Sequence, residues 1–238
     1  MTATQFILDD PRHGSEHGAG LAREAGRPAD APAEVDDRPG HWEAVYRTRR
    51  PEEVGWFQAR PEVSLGLIDA LGIGKDEPVI DVGGGASMLV DHLLARRFTR
   101  LTVLDLSATA LAAAQARLGP RAQAVHWRVA DITRDDPGGP YRVWHDRAAF
   151  HFLTEPAHRR RYVAALSRAL APGAHAIIGT FAEDGPTRCS DLPVCRYSPE
   201  ALAAELAGGF FLAIALRERH RTPAGRDQSY VWCCFRRR

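Results

Sequence analysis

The segment Val79-Ile80-Asp81-Val82-Gly83-Gly84-Gly85-Ala86-Ser87 constrains the fold of this 238-residue chain more than any other. A short β-branched run ends at three glycines, and Met88-Leu89-Val90 with Leu93-Leu94 then continue in a helical pattern. That order reads as a strand, a tight turn and a helix start. Glycines at such a turn let the backbone approach a ligand, and a helix start offers free N–H groups and a partial positive charge to an anion. Twenty positions beyond Gly85, Leu101-Thr102-Val103-Leu104-Asp105 reads as a second strand capped by a carboxylate. An acid at that place is suited to grip the two hydroxyls of a ribose. The pair predicts a site for a nucleoside-containing cofactor.

A dinucleotide fingerprint, Gly-x-Gly-x-x-Gly, needs its third glycine for close helix–strand packing. Counted from Gly83 and Gly85, that place holds the bulky Met88. The acid-x-Gly-x-Gly pattern of Asp81 to Gly85 instead resembles motif I of the class I S-adenosylmethionine-dependent methyltransferases, whose cofactor carries no pyrophosphate. Ser87 stands where the commonest form of that motif has a further glycine, a departure found in some lysine-directed and thiopurine-type relatives. The resemblance implies S-adenosyl-L-methionine as cofactor and S-adenosyl-L-homocysteine as product. It places Asp81, Gly83, Gly84, Gly85, Ser87, Asp105 and Leu106 at the cofactor.

Strands are expected near 78–82, 101–105, 124–129, 141–146 and 174–181, and helices near 86–97, 107–118, 157–170 and 199–207. A helical segment with apolar residues at 63, 67, 68 and 71 precedes them, with Pro61 suited to its first turn. Phe210 to Glu218 and Gln228 to Phe235 read as two strands joined at Pro223-Ala224-Gly225. Such alternation predicts an α/β fold, a mostly parallel sheet with helices on both faces. With the closing antiparallel hairpin it resembles the Rossmann-like class I methyltransferase arrangement of seven strands, over roughly residues 41 to 238. Residues 1–38, rich in Ala, Gly, Pro, Asp and Arg, are expected to form a flexible extension. Residues 39–238 are expected to form a single methyltransferase domain, with a helical lid segment at 39–72 and a Rossmann-like core at 73–238.

Ligands of open α/β sheets collect at the carboxyl ends of strands. At the third strand, Asp131 and Ile132 resemble the family segment that holds adenine; Asp131 also suits a simple turn cap. The fourth strand ends in Trp144-His145-Asp146-Arg147-Ala148-Ala149-Phe150-His151, a polar stretch that in methyltransferases lies beside the methionine end of the cofactor. His145, Asp146 and His151 are the candidate catalytic groups there, set against an Asp146–Arg147 structural ion pair and a packed His151. Tyr46, Trp56 and Phe57 precede the glycine motif in the segment that folds over the cofactor in relatives. Tyr46 and Trp56 are expected at the cofactor, because a ring face attracts a sulfonium cation. The loop from Gly185 to Tyr197 carries Arg188, Cys189 and Arg196, candidates for an anionic or soft acceptor.

Composition narrows the partners. A formal net charge of +1 gives no electrostatic case for nucleic acid. No stretch approaches the roughly 18 uninterrupted apolar residues of a membrane span. Phe6-Ile7-Leu8 runs at once into Asp9 and Asp10, unlike a signal peptide. Four cysteines without a C-x-x-C spacing argue for a reducing, cytoplasmic setting and against a metal site. The reading is a methyltransferase acting on an acceptor nucleophile, a small molecule before a protein lysine. The rivals are a non-catalytic cofactor-binding module and an NAD-dependent reductase, the latter opposed by Met88 and by the presence of a single lysine, Lys75. Acceptor identity and oligomeric state do not follow from the residues.

Overall fold

Runs of β-branched and aliphatic residues become fully buried strands at the centre of the molecule, while the amphipathic segments between them become its covering helices. The computed structural model describes residues 37–238. The extension expected over 1–38 lies, apart from its last two residues, outside the described residues. Residues from Arg38 onward form one compact unit.

In chain order the elements are α1 (Arg38–Thr48), α2 (Glu62–Ala70), β1 (Val79–Val82), α3 (Leu89–Ala95), β2 (Leu101–Asp105), α4 (Ala108–Leu118), β3 (Val125–Val129) and β4 (Tyr141–Arg147). There follow α5 (Pro156–Ala169), β5 (Leu170–Phe181), a two-rung hairpin of β6 (Arg188–Cys189) and β7 (Leu192–Pro193), α6 (Pro199–Leu206), β8 (Phe210–Arg221) and β9 (Asp227–Arg237). Seven strands form one sheet in the order β3-β2-β1-β4-β5-β9-β8. The first five run parallel; β9 is antiparallel to both β5 and β8. Sequence order reverses between β1 and β4, so a crevice opens at their carboxyl ends, where ligands of such sheets bind.

Strand parity sorts the core into two layers. Ile80, Val82, Trp144 and Ile178 face α5 and α6 through Tyr162, Leu166, Leu202 and Leu206. Val79, Val103, Val143 and Ile177 face α2, α3 and α4 through Leu65, Ile68, Leu89, Leu93 and Leu111. Alternate side chains of a strand point to opposite faces, so neighbours in sequence serve different layers. A third, small apolar cluster joins Trp42, Val45 and Val54 to Tyr46, Trp56, Leu106 and Phe152. It fastens α1 and the segment after it over the strand ends.

Three local departures from the sequence expectations have physical causes. The helix expected from residue 86 starts at Leu89, because Ser87 N bonds Gly84 O (2.8 Å) in a turn and Ser87 Oγ accepts the Leu89 N–H (3.1 Å). β5 begins at Leu170, directly after α5, and Pro172-Gly173 fall in a register irregularity opposite Tyr141 and Val143. In the helical lid segment expected at 39–72, Pro51 and Pro61 separate α2 from the first helix, α1. Its Glu43 accepts hydrogen bonds from Ser107 Oγ and Thr109 Oγ1 at the start of α4, which lower the Glu43 pKa.

Candidate cofactor and acceptor cleft

At the strand ends lies a cleft of about 770 Å³, walled by Gly83, Asp105, Leu106, Asp131 and Ile132 on the sheet side. Trp42, Tyr46, Trp56, Phe152 and Cys189 complete it from α1, the following segment, the turn after β4 and the β6–β7 hairpin. A second cleft of about 550 Å³ shares Tyr46, Trp56, Gly83 and Arg147 with the first and is also lined by Ser64, Asp81, Gly84, Ser87 and His145.

The glycines are demanded by what surrounds them. Gly83 has φ +68°, and a Cβ there would stand 2.6 Å from the Ala149 Cβ. At Gly84 a Cβ would meet Asp81 Oδ2 at 2.6 Å and Val103 Cγ1 at 2.8 Å. Gly85, at φ +44°, would press on Asp105 Oδ2 at 3.0 Å and Tyr46 Oη at 3.2 Å. A side chain at any of the three would press on groups already in place.

Asp105 ends β2 with its carboxylate buried at the cleft wall, Oδ1 accepting the Ser107 N–H at 2.8 Å. Burial pushes its pKa up to about 7 and the nearby Asp81 adds to the rise, while N–H groups of Ser107, Gly85 and Leu106 pull it down. A buried carboxylate at the wall of a cleft is a candidate ligand-facing group. Asp131 serves two ends. Its Oδ1 caps the turn through Thr133 N (2.8 Å) and Oγ1 (2.7 Å). Its Oδ2 is buried with no hydrogen-bond partner, 3.6 Å from nitrogens of Arg38 and Arg134. Tyr46 Oη accepts from Trp56 Nε1 (3.1 Å), which locks the two rings edge to face; burial raises the Tyr46 pKa.

The three candidate catalytic groups do not share a wall. β1 and β4 run in register with Asp81 beside His145, and both project to the α2 side. His145 Nδ1–H donates to Asp81 Oδ1 at 2.7 Å, and Nε2 pairs with Ser64 Oγ of α2 at 2.9 Å. This chain borders the second cleft. Asp146, one residue on, faces the opposite layer. It accepts from Tyr162 Oη (2.6 Å) and from the N–H groups of Ala149 (2.9 Å) and Phe150 (3.1 Å), and burial raises its pKa to about 6. The Asp146–Arg147 ion pair weighed from sequence is absent among the described residues. His151 is fully buried between Phe152 and Phe181, its Nδ1 accepting the Phe181 N–H (3.3 Å). Burial, then the charge of Arg147, hold its pKa down to about 3. Asp146 and His151 line neither cleft.

Ser87, expected at the cofactor, is exposed on the rim of the second cleft. In the 185–197 loop, Arg188 donates to Asp191 O and Arg196 to Glu183 O, so only Cys189 reaches the main cleft. Trp42, Phe152 and Arg147 were not singled out from sequence as site residues. Trp42 lies in α1, away from any strand end, Phe152 follows the fourth strand but carries no polar group to draw notice, and Arg147 was assigned to an ion pair.

The sheet order, the crevice at the reversal and the paired carboxylates define the Rossmann-like class I methyltransferase fold. Residues 80–176 match the family model of a methyltransferase domain. Among solved structures, one concerned with conversion of a disulfide bond into a thioacetal group during echinomycin biosynthesis superposes with a TM-score of 0.69 at 24% identity, over 84% of this chain and 92% of that one. The 1,6-didemethyltoxoflavin-N1-methyltransferase of Burkholderia thailandensis, with 1,6-didemethyltoxoflavin and S-adenosylhomocysteine bound, gives 0.67 at 20% identity, over 88% and 93%. The N-methyltransferase NodS of Bradyrhizobium japonicum, with S-adenosylhomocysteine, gives 0.59 at 17%, over 76% and 89%. No curated protein matches the chain in sequence. Among the described residues no helix is long and apolar enough to cross a membrane.

Proposed function

We propose that this protein transfers a methyl group from S-adenosyl-L-methionine to a small-molecule nucleophile. The observation that carries the reading is the single cleft in which Gly83, the buried Asp105 carboxylate and Asp131 stand at the ends of three adjacent strands. The residues suit the cofactor. Asp105 would accept from the ribose hydroxyls, Asp131 Oδ2, which accepts no hydrogen bond within the protein, from the adenine amino group, and Leu106 and Ile132 would pack on the base. Gly83 to Gly85 and Asp81 would hold the amino-acid tail. Bound there, the cofactor supplies a methyl group already activated by a sulfonium charge.

Positioning then does most of the work, since a well-oriented pair gains large effective molarity. Trp42, Trp56 and Phe152 exclude water and present flat apolar surface to an acceptor. No free base faces the main cleft from His145, Asp146 or His151. Burial raises the Cys189 thiol to about 11, so it stays protonated at neutral pH. The acceptor on this reading arrives with its nucleophilic lone pair available. The enclosed, aromatic cleft favours a small acceptor over a protein lysine, in keeping with the toxoflavin-precursor enzyme among the structural neighbours.

Isothermal calorimetry of the full chain with S-adenosylmethionine and S-adenosylhomocysteine tests this. Saturable one-to-one binding of both is expected. Failure to bind either removes the proposal, and binding without turnover across a broad acceptor panel would favour a cofactor-binding module.

A further inference from the structure

We propose that Arg147 is the docking point for a carboxylate on the acceptor, which makes the substrate a flat, apolar molecule bearing an acidic group. The inference rests on the methyltransferase reading and names the substrate class of the same cleft. Arg147 ends β4 and borders both clefts. Its Nη1 donates to Trp56 O at 2.8 Å, and its guanidinium lies 4.9 Å over the Tyr230 ring. Those contacts fix the plane of the group. The other edge, Nε and Nη2, is buried without a hydrogen-bond partner, and among the described residues no carboxylate pairs with it.

Two buried N–H donors of a cation left unpaired are costly, and native proteins leave few such groups unless a ligand completes them. Nε–H and the adjacent Nη2–H are parallel and spaced for the two oxygens of one carboxylate, the bidentate geometry for which arginine is suited. The positive potential is local and strong enough to be felt by His151, Cys189 and Tyr230 around it. Along the sheet edge β4 lies on the far side of β1 from Asp105 and Asp131, away from the adenosine end. The neighbouring wall, with Trp42, Trp56, Phe152 and Leu153, is apolar and aromatic, so the body attached to the acid should be flat and hydrophobic.

The test uses the full chain saturated with S-adenosylhomocysteine and titrated with benzoate, phenylacetate and cinnamate, each beside its uncharged carboxamide. At least one acid is expected to bind about tenfold or more tightly than its amide, roughly the loss of one charge-assisted contact. Arg147→Gln should erase the acid preference and change S-adenosylhomocysteine affinity by no more than about twofold. Arg147→Lys, which keeps charge without the fork, should retain only part of the preference. Equal binding of acid and amide by the unaltered protein, or no acid binding at all, overturns the proposal without recourse to any variant. A tenfold loss of S-adenosylhomocysteine affinity in Arg147→Gln also overturns it, because the arginine would then hold the cofactor's own carboxylate. If the unaltered protein fails to bind S-adenosylhomocysteine, it is the methyltransferase reading that falls.

Discussion

His145 and Asp81 face each other across β1 and β4 at 2.7 Å, and Ser64 closes the chain from α2 at 2.9 Å. The bond ties the two strands that flank the crevice to the helix covering them. It also holds the Asp81 carboxylate beside the glycine turn, where Gly84 leaves it just enough room. His145→Ala leaves two buried polar partners unmatched, so a loss of about 2 kcal/mol or more is expected in urea unfolding. His145→Asn, which keeps a donor near Asp81, should recover part of it. An unchanged midpoint for the alanine variant would show that the chain contributes nothing to stability.

Asp105 trades stability for its place in the cleft. Its folded pKa of about 7 lies above the ordinary 3.8, so between these pH values the folded state keeps a proton that the unfolded chain has released. Stability from this group therefore falls as pH rises from about 4 to 7, and the loss is complete above the folded pKa. Asp105→Asn does not titrate. Relative to the unaltered protein its Tm should improve from pH about 5 to about 8, whatever its absolute offset. The same change should weaken S-adenosylhomocysteine binding at pH 8 by about tenfold or more, since a charged acceptor is lost. A pH-independent Tm difference would contradict the raised pKa, and full cofactor affinity would remove Asp105 from the ribose.

Gly83→Val is expected to abolish cofactor binding. The position has φ +68°, which costs a side-chain-bearing residue about 1–2 kcal/mol, and its Cβ would overlap the Ala149 Cβ at 2.6 Å. The turn after β4 would have to move, and with it the cleft wall from Ala148 to Phe152. Calorimetry with S-adenosylhomocysteine reads the outcome; a saturable variant of normal affinity would show that the turn has room to spare.

His151 should influence acid stability rather than catalysis. Its folded pKa of about 3 lies below the ordinary 6.5, so the unfolded chain takes up a proton that the folded one refuses. Its stabilising contribution is full above about 6.5 and is lost as pH falls toward 3. His151→Asn preserves an acceptor for the Phe181 N–H without the titration. The Tm deficit of this variant at pH about 7.5 should shrink at pH about 4.5. A deficit that stays constant would mean that the ring does not sit neutral in the core.

The order of strands and helices was legible because each central strand is short, apolar and bounded by a turn residue. β1 and β2 are buried at every position, so apart from Thr102 their runs are apolar up to the acid at or next to the strand end, Asp81 and Asp105. Cofactor-side candidates were legible for the same reason: in a parallel sheet they must follow strand ends, and Asp105 and Asp131 do. That Trp42, Phe152 and the loop candidate Cys189 share one wall was not, since the wall is assembled from α1, the turn after β4 and the β6–β7 hairpin, segments far apart in sequence. Polarity also misdirects at β4. His145, Asp146 and Arg147 are consecutive, yet they serve the α2 layer, the α5 layer and the cleft.

The chain's own order of residues determined the alternation, the glycine turn and the acids at the second and third strand ends, because local periodicity and backbone freedom act over a few residues. Only the folded sheet decided what each polar side chain is for. Register placed His145 against Asp81, parity sent Asp146 to Tyr162, and enclosure left one edge of Arg147 without a partner. Those outcomes depend on distances between segments far apart in the chain, which packing sets and sequence spacing does not.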